Sequence, residues 1–140
     1  AMDARATIAA YYDALRAGDP LGPYVADERP DDDSFVKLGI SERLTGDDEI
    51  RRGLRRQTET TTDWTVTSHA LRVSERDRCA WFSDDVTMAW TDSETGSRWT
   101  FESRWSGTLE RRPNARRADE TPETPWRFVG MHVSAPRRTA

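Results

Sequence analysis

Asp84 is the residue of this chain whose setting best suits chemistry. It stands at an alternate position among Ala80, Phe82, Val86, Met88 and Trp90, in a segment whose period is two. A strand there turns one carboxylate toward an otherwise apolar face. Burying a charge is costly without a partner. Such a carboxylate is either bonded by an arginine or a hydroxyl, or kept as a general base or a ligand-orienting acceptor. Tyr12 is its companion candidate. Ile8, Tyr11, Tyr12 and Leu15 recur at helical spacing, so a helix over 4–17 carries both phenols on its apolar stripe. A phenol facing a pocket donates a proton or a hydrogen bond, whereas one in the core only satisfies its hydroxyl. Asp84 as base and Tyr12 as hydroxyl donor are therefore the catalytic candidates, and the catalytic set is otherwise unknown.

Trp99, Phe101, Ser103, Trp105, Gly107 and Leu109 share one face of a strand over 98–111, opposite Thr100, Glu102, Arg104, Ser106 and Thr108. That face predicts an aromatic interior, as pocket wall or as plain core. The predicted ligand-binding set is Tyr12, Phe82, Asp84, Trp99, Phe101, Ser103 and Trp105, with Asp84 and Ser103 orienting a ligand that the rings enclose. On the last strand, His132 alternates with Phe128, Gly130 and Ser134, opposite Val129, Met131 and Val133. This predicts His132 on the outer sheet surface, and His69 also reads as a surface residue.

Other chemistries lack their residues. Two distant histidines and one Cys79 make no zinc pattern, and Asp31-Asp32-Asp33 lacks the Gly and distal Glu of a calcium loop. There is no phosphate-binding loop, dinucleotide fingerprint or nucleophile elbow, so no metal and no cofactor are expected. Nothing around Cys79 marks it as a nucleophile and, without a second cysteine, it suits a reducing interior. Arg51, Arg52, Arg55 and Arg56 form a ladder on one helix, but Asp47, Asp48, Glu49 and Glu59 dilute it. With a net charge of −4, the ladder reads as a solvated face and nucleic-acid binding is not expected. Basic charge is almost all arginine, Lys37 being the single lysine, a bias that speaks of base composition or salt adaptation. No apolar run approaches the roughly 20 residues that span a bilayer, and no signal-peptide pattern is present. A cytoplasmic protein without membrane contact is the expectation, and Ala1 ahead of Met2 reads as an expression remnant.

The elements that must position these residues follow from period and punctuation. At 140 residues the chain suits one domain, 1–140. After the first helix, Gly18 and Pro20 introduce a short second one to about Val25, and Phe35 to Ile40 suggests a short strand. Thr45 with Asp48 resembles a capping box opening a helix to about Thr60. From Trp64 the period becomes two, predicting strands near 65–75, 79–90, 98–111 and 126–135 with hairpin turns at 75–78 and 91–96. Residues 113–125 read as a flexible hairpin and 137–140 as a tail. Antiparallel strands need one face covered, and the helices supply the cover, so the class is α+β.

Read together, Leu44-Thr45-Gly46-Asp47-Asp48-Glu49-Ile50, Asp63-Trp64, Cys79-Ala80-Trp81-Phe82, and Trp126-Arg127-Phe128-Val129 leading to His132-Val133-Ser134-Ala135-Pro136 resemble the SnoaL-like branch of the nuclear-transport-factor-2-like (NTF2-like) superfamily. The resemblance covers nearly the whole chain. It implies a cone in which a strongly curved, mostly antiparallel sheet wraps around about three N-terminal helices and leaves a cavity. It also implies a homodimer through the outer sheet face. Members include isomerases, cyclases and dehydratases as well as binding and scaffold domains, so fold alone does not choose. Ketosteroid-isomerase-like members carry a catalytic Asp on the first strand, where this chain has Lys37-Leu38-Gly39-Ile40. The leading expectation is a domain binding an apolar or aromatic small molecule. The alternatives are a cofactor-free acid–base enzyme acting on a polyketide- or steroid-like substrate, and a dimeric interaction module with Trp81 on its working face.

Overall fold

The computed structural model describes residues 2–113 and 123–137. The central part of the expected flexible hairpin, 114–122, and most of the expected tail, 138–140, lie outside the described residues. Helix α1 spans Ala4–Ala17, as its apolar stripe predicts. Asp3 caps it by accepting from the Ala6 N–H at 2.8 Å, and Gly18, at φ 73°, closes it with its N–H on Leu15. A single 3-10 turn at Gly22–Tyr24 stands where the short second helix was expected. Two α-helices and this turn therefore take the place of the three helices predicted.

Strand β1 (Val36–Leu38) pairs with β2 (Arg43–Thr45), a strand that sequence reading assigned to a helix cap. Helix α2 (Asp47–Thr60) starts instead at Gly46, whose φ of 86° suits glycine. Its N-terminus is closed by a reciprocal bond pair across the chain. The Asp47 N–H donates to Glu28 Oε1 at 2.7 Å, and the Glu28 N–H donates to Asp47 Oδ2 at 2.8 Å. Arg51 is no solvated ladder member. It donates to the carbonyls of Val25 and Ala26 and to Asp27 Oδ1 at 2.7 Å, tying α2 to the segment after the 3-10 turn.

The remaining strands are β3 (Thr61–Ser68), β4 (Arg72–Glu75), β5 (Cys79–Asp92), β6 (Arg98–Arg111) and β7 (Trp126–Ser134). They form one curved, unclosed sheet in the order β2-β1-β7-β6-β5-β3, with β4 also on β5. The sheet is mixed, because β1 runs parallel to β7. Its inner face carries Ala80, Phe82, Val86, Met88, Trp105 and Leu109, all buried under α1 and α2.

Two departures from strict alternation shape the interior. The predicted strand 65–75 is split into β3 and β4, because its middle bonds to the Asp84 side chain. On β7, Gly130 pairs with Thr108 but Phe128 pairs with Leu109, so Val129 is a bulge. The bulge turns Phe128 inward, where it is 3% exposed, and leaves His132 outward. The expected shared face of Phe128 and His132 is thereby corrected. Beside the bulge, Gly107 lets strands and rings approach: a Cβ there would lie 2.7 Å from Phe82 Cε1 and 2.8 Å from the Gly130 carbonyl oxygen.

A backbone oxygen cannot swing aside, so Gly107→Ala should cost about 1–3 kcal/mol in urea unfolding. A loss under a few tenths would show that β6 and β7 are not held this closely. At the α2 N-terminus, burial works to raise the Asp47 carboxyl. The N–H donors of Glu28 and Asp48 and the Arg51 guanidinium outweigh it and hold the group below its ordinary 3.8. Because the folded value is the lower one, this stabilisation is full above about pH 5 and is lost as the pH falls through that range. Asp47→Asn should accordingly lower the urea midpoint at pH 7, and the gap to the parent should close as the pH drops to about 3.

Candidate functional site

Between the helices and the inner sheet face lies a cavity of about 340 Å³. That volume is within the range of small-molecule sites. Tyr11 and Leu15 of α1 and Gly53, Arg56 and Gln57 of α2 form one side. Trp64, Met88, Trp90 and Trp105 form the other, and Met131 and Val133 of β7 close it.

The sheet side is an aromatic row. Trp64 and Trp90 stack with centroids 4.7 Å apart and planes at 21°, and Phe101 follows Trp90 at 5.4 Å and 22°. Trp99 continues the row beyond Phe101 at 6.4 Å, where it is 49% exposed. Trp64 reaches this row through a bulge, since Asp63 and Trp64 together oppose Trp90 across the β3–β5 ladder. Asp63 takes a φ of 54°, and the Trp64 indole N–H donates to Thr61 Oγ1 at 2.8 Å, which fixes the ring's tilt.

The opposite end of the cavity is polar. Lys37 is only 6% exposed, and its Nζ donates to Glu42 Oε1 at 3.0 Å. Glu42 lies on the turn between β1 and β2, closed by the Gly39 N–H on the Glu42 carbonyl. Tyr11 borders the same cavity and makes no side-chain hydrogen bond among the described residues. Burial, then the nearby Glu42 charge, pushes the Tyr11 phenol well above its ordinary range, so it remains a proton-bearing donor.

Asp84 is placed differently. It is 4% exposed, as alternation predicted, and both its oxygens are engaged. Oδ2 accepts from the Tyr12 hydroxyl at 2.9 Å and from Ser68 Oγ at 2.6 Å, and Oδ1 accepts from the Ala70 N–H at 3.0 Å. Burial, then the Asp84 charge, pushes the Tyr12 phenol far up, which keeps it a donor to that carboxylate. The predicted catalytic pair thus converges on itself and supports the β3–β4 break. Of the predicted ligand set, Trp105 lines the cavity, and Phe101 and Trp99 extend its aromatic row outward. Tyr12, Phe82 and Ser103 do not border it, and Asp84 borders instead a second, shallower hollow with Ala70, Arg72, Arg104 and His132. Ser103 passes the Trp105 indole N–H on to the Val86 carbonyl, accepting at 3.0 Å and donating at 2.7 Å.

Lys37, Glu42, Trp64 and Trp90 are among the cavity residues that sequence reasoning did not choose, and Tyr11 borders the cavity where Tyr12 was chosen. Lys37 had left a signal: period two puts it on the face of buried Phe35, and it is the single lysine. Asp84→Ala leaves three donors unpaired in the interior and should cost about 2–4 kcal/mol in urea unfolding, against about 1 kcal/mol for Tyr12→Phe. Near-equal, small losses would show that the carboxylate does not hold the β3–β4 corner.

The same fold recurs in solved structures at low identity. An NTF2-like superfamily protein from Salmonella enterica serovar Typhimurium LT2 superposes with a TM-score of 0.73 at 19% identity, covering 96% of this chain and 89% of that one. A candidate dehydratase of the NTF2-like family from Streptomyces avermitilis gives 0.74 at 16% identity, covering 94% and 93%. A ketosteroid isomerase-like protein from Erwinia carotovora atroseptica SCRI1043 gives 0.67 at 16%, covering 96% and 94%. No curated protein matches the chain significantly in sequence. The SnoaL-like domain family matches residues 4–138, and with the curved sheet enclosing a helix-capped cavity this places the chain in that family.

Proposed function

We propose that the chain is a small-molecule-binding SnoaL-like domain whose ligand packs against the ring edges of the Trp64–Trp90 stack. The observation that carries this reading is the stack itself. Two indoles and the Trp105 ring form one wall of a cavity that no side chain of the described residues fills. Trp90 carries a ring on each face, so the wall presents positive ring edges, which favour the negative face of a planar aromatic ligand over a branched aliphatic one. Acid–base catalysis through Asp84 and Tyr12 is less well supported, because each group is already occupied by the other and Tyr12 does not border the cavity.

We infer further that two copies associate through the outer sheet face. Trp81, 45% exposed on β5 beneath Arg76, is the apolar residue there that supports it. No helix of the described residues is long and apolar enough to cross a membrane. The unpaired Cys79 favours a reducing, cytoplasmic setting.

The test is saturable quenching of intrinsic tryptophan fluorescence by the neutral probe methyl 2-naphthoate. Trp90→Ala should weaken binding by roughly tenfold, an aromatic pair adding about 0.5–1.5 kcal/mol beyond its buried area. Trp81→Ala, on the other face, should leave it unchanged. No saturable quenching, or equal loss in both variants, would refute the site.

A further inference from the structure

The cavity holds charges that its aromatic wall does not explain. Lys37 and Arg56 border it against Glu42 alone, so its lining carries a net charge of one positive unit. Arg56 makes no ion pair among the described residues, and Lys37 makes one. A buried ammonium is tolerated only when paired, and its three donors can serve more than one acceptor. Glu42 takes one of them.

The two partners of that pair are unequal. The Lys37 side chain is 8% exposed and the Glu42 side chain 41%. Glu42 can return to water by turning on its exposed hairpin, whereas Lys37, in the middle of β1, has nowhere to go. The fixed member of the pair is thus the cation and the displaceable member is the carboxylate. Tyr11 adds a second donor: it is 2% exposed and lines the same cavity, and its phenol is influenced by the Glu42 charge without bonding to it. Gly39 supports the arrangement, since a Cβ there would lie 2.8 Å from Glu42 Cγ. The turn is shaped to let the Glu42 side chain lie across it.

From this geometry we infer that the ligand is an aromatic oxyanion, an arene carboxylate by chemical class, whose charged group binds Lys37 and displaces Glu42. The inference rests on the binding reading above and adds the ligand's charge to it. The rings take the Trp64–Trp90 wall and the oxyanion takes the Lys37 end, with the Tyr11 hydroxyl as the neutral donor. In the free protein Glu42 serves as an internal stand-in for the ligand's carboxylate. A cation would meet Lys37 and Arg56, and a neutral ligand would leave the ion pair in place.

The experiment compares 2-naphthoate with its neutral methyl ester by tryptophan quenching on the intact protein, with three variants. The carboxylate should bind at least about tenfold more tightly than the ester, as a charge-assisted bond implies. Lys37→Met should abolish that preference and leave ester binding as it was. Glu42→Gln and Gly39→Ala, which remove or dislodge the internal competitor, should tighten 2-naphthoate several-fold. A purely structural role for the pair would weaken binding in Lys37→Met and Glu42→Gln alike, and that result would overturn the proposal. Equal affinity for the two probes, unchanged in Lys37→Met, would overturn it while leaving the aromatic site standing. Binding of neither probe would remove both. If Lys37→Met fails to fold, Glu42→Gln decides: no gain in 2-naphthoate affinity overturns the proposal.

Discussion

The bonding of one buried carboxylate sets the frame for everything else in this molecule. Asp84 sits where β5 must pair with two successive strands, and it joins three elements that would otherwise only touch. Its bonds to Ser68 and Ala70 satisfy the backbone and side chain at the break between β3 and β4. Its bond to Tyr12 sets the rotation and height of α1 against the sheet. With Tyr12 pinned, Tyr11 and Leu15 must face the neighbouring space, and that space is the cavity. A carboxylate among apolar neighbours is stable here because all its bonds come from groups that themselves need acceptors. It is a joint in the architecture, and the chemistry-bearing groups lie one layer away.

The cavity exists because the sheet bends, and the bends have local causes. A bulge at Asp63-Trp64 swings an indole over Trp90, and a bulge at Val129 turns Phe128 into the core beside Tyr11, with rings 5.1 Å apart. Each adds one residue to one strand, which increases local twist and changes which side chains face inward. Aromatic rings then cover the curved surface edge to face, as Tyr12 does against Trp105 at 5.3 Å and 90°. The space left over is bounded by stacked indoles on one side and the Lys37–Glu42 pair on the other. Its polarity is therefore directional, apolar at one end and charged at the other.

Much of this was legible in the chain. The stripe Ile8, Tyr11, Tyr12 and Leu15 determined α1 and its buried face, and strict alternation on β5 and β6 determined which residues turn inward, Asp84 and Trp105 among them. Both are local periodicities, and local periodicity is what a sequence states most directly. Asp84 and Tyr12 were recognised as partners; what could not be read was that they would be occupied by each other.

The tertiary structure alone decided which inward residues border open space and which are packed behind it. Ser103 and Phe82 share the inner face with Trp105, yet of the three only Trp105 reaches the cavity: Ser103 is bonded to the Trp105 indole and the Val86 carbonyl, and Phe82 packs on Phe128. Lys37 shows the same limit. Its position beside Phe35 told of burial, but its place on one cavity with Glu42, Tyr11 and Trp90 depends on four elements brought together by pairings β1–β7 and β5–β6. Period and composition specify the face a residue presents; which residues meet across the interior depends on long-range pairing and on bulges, each of which can shift a side chain from one face to the other.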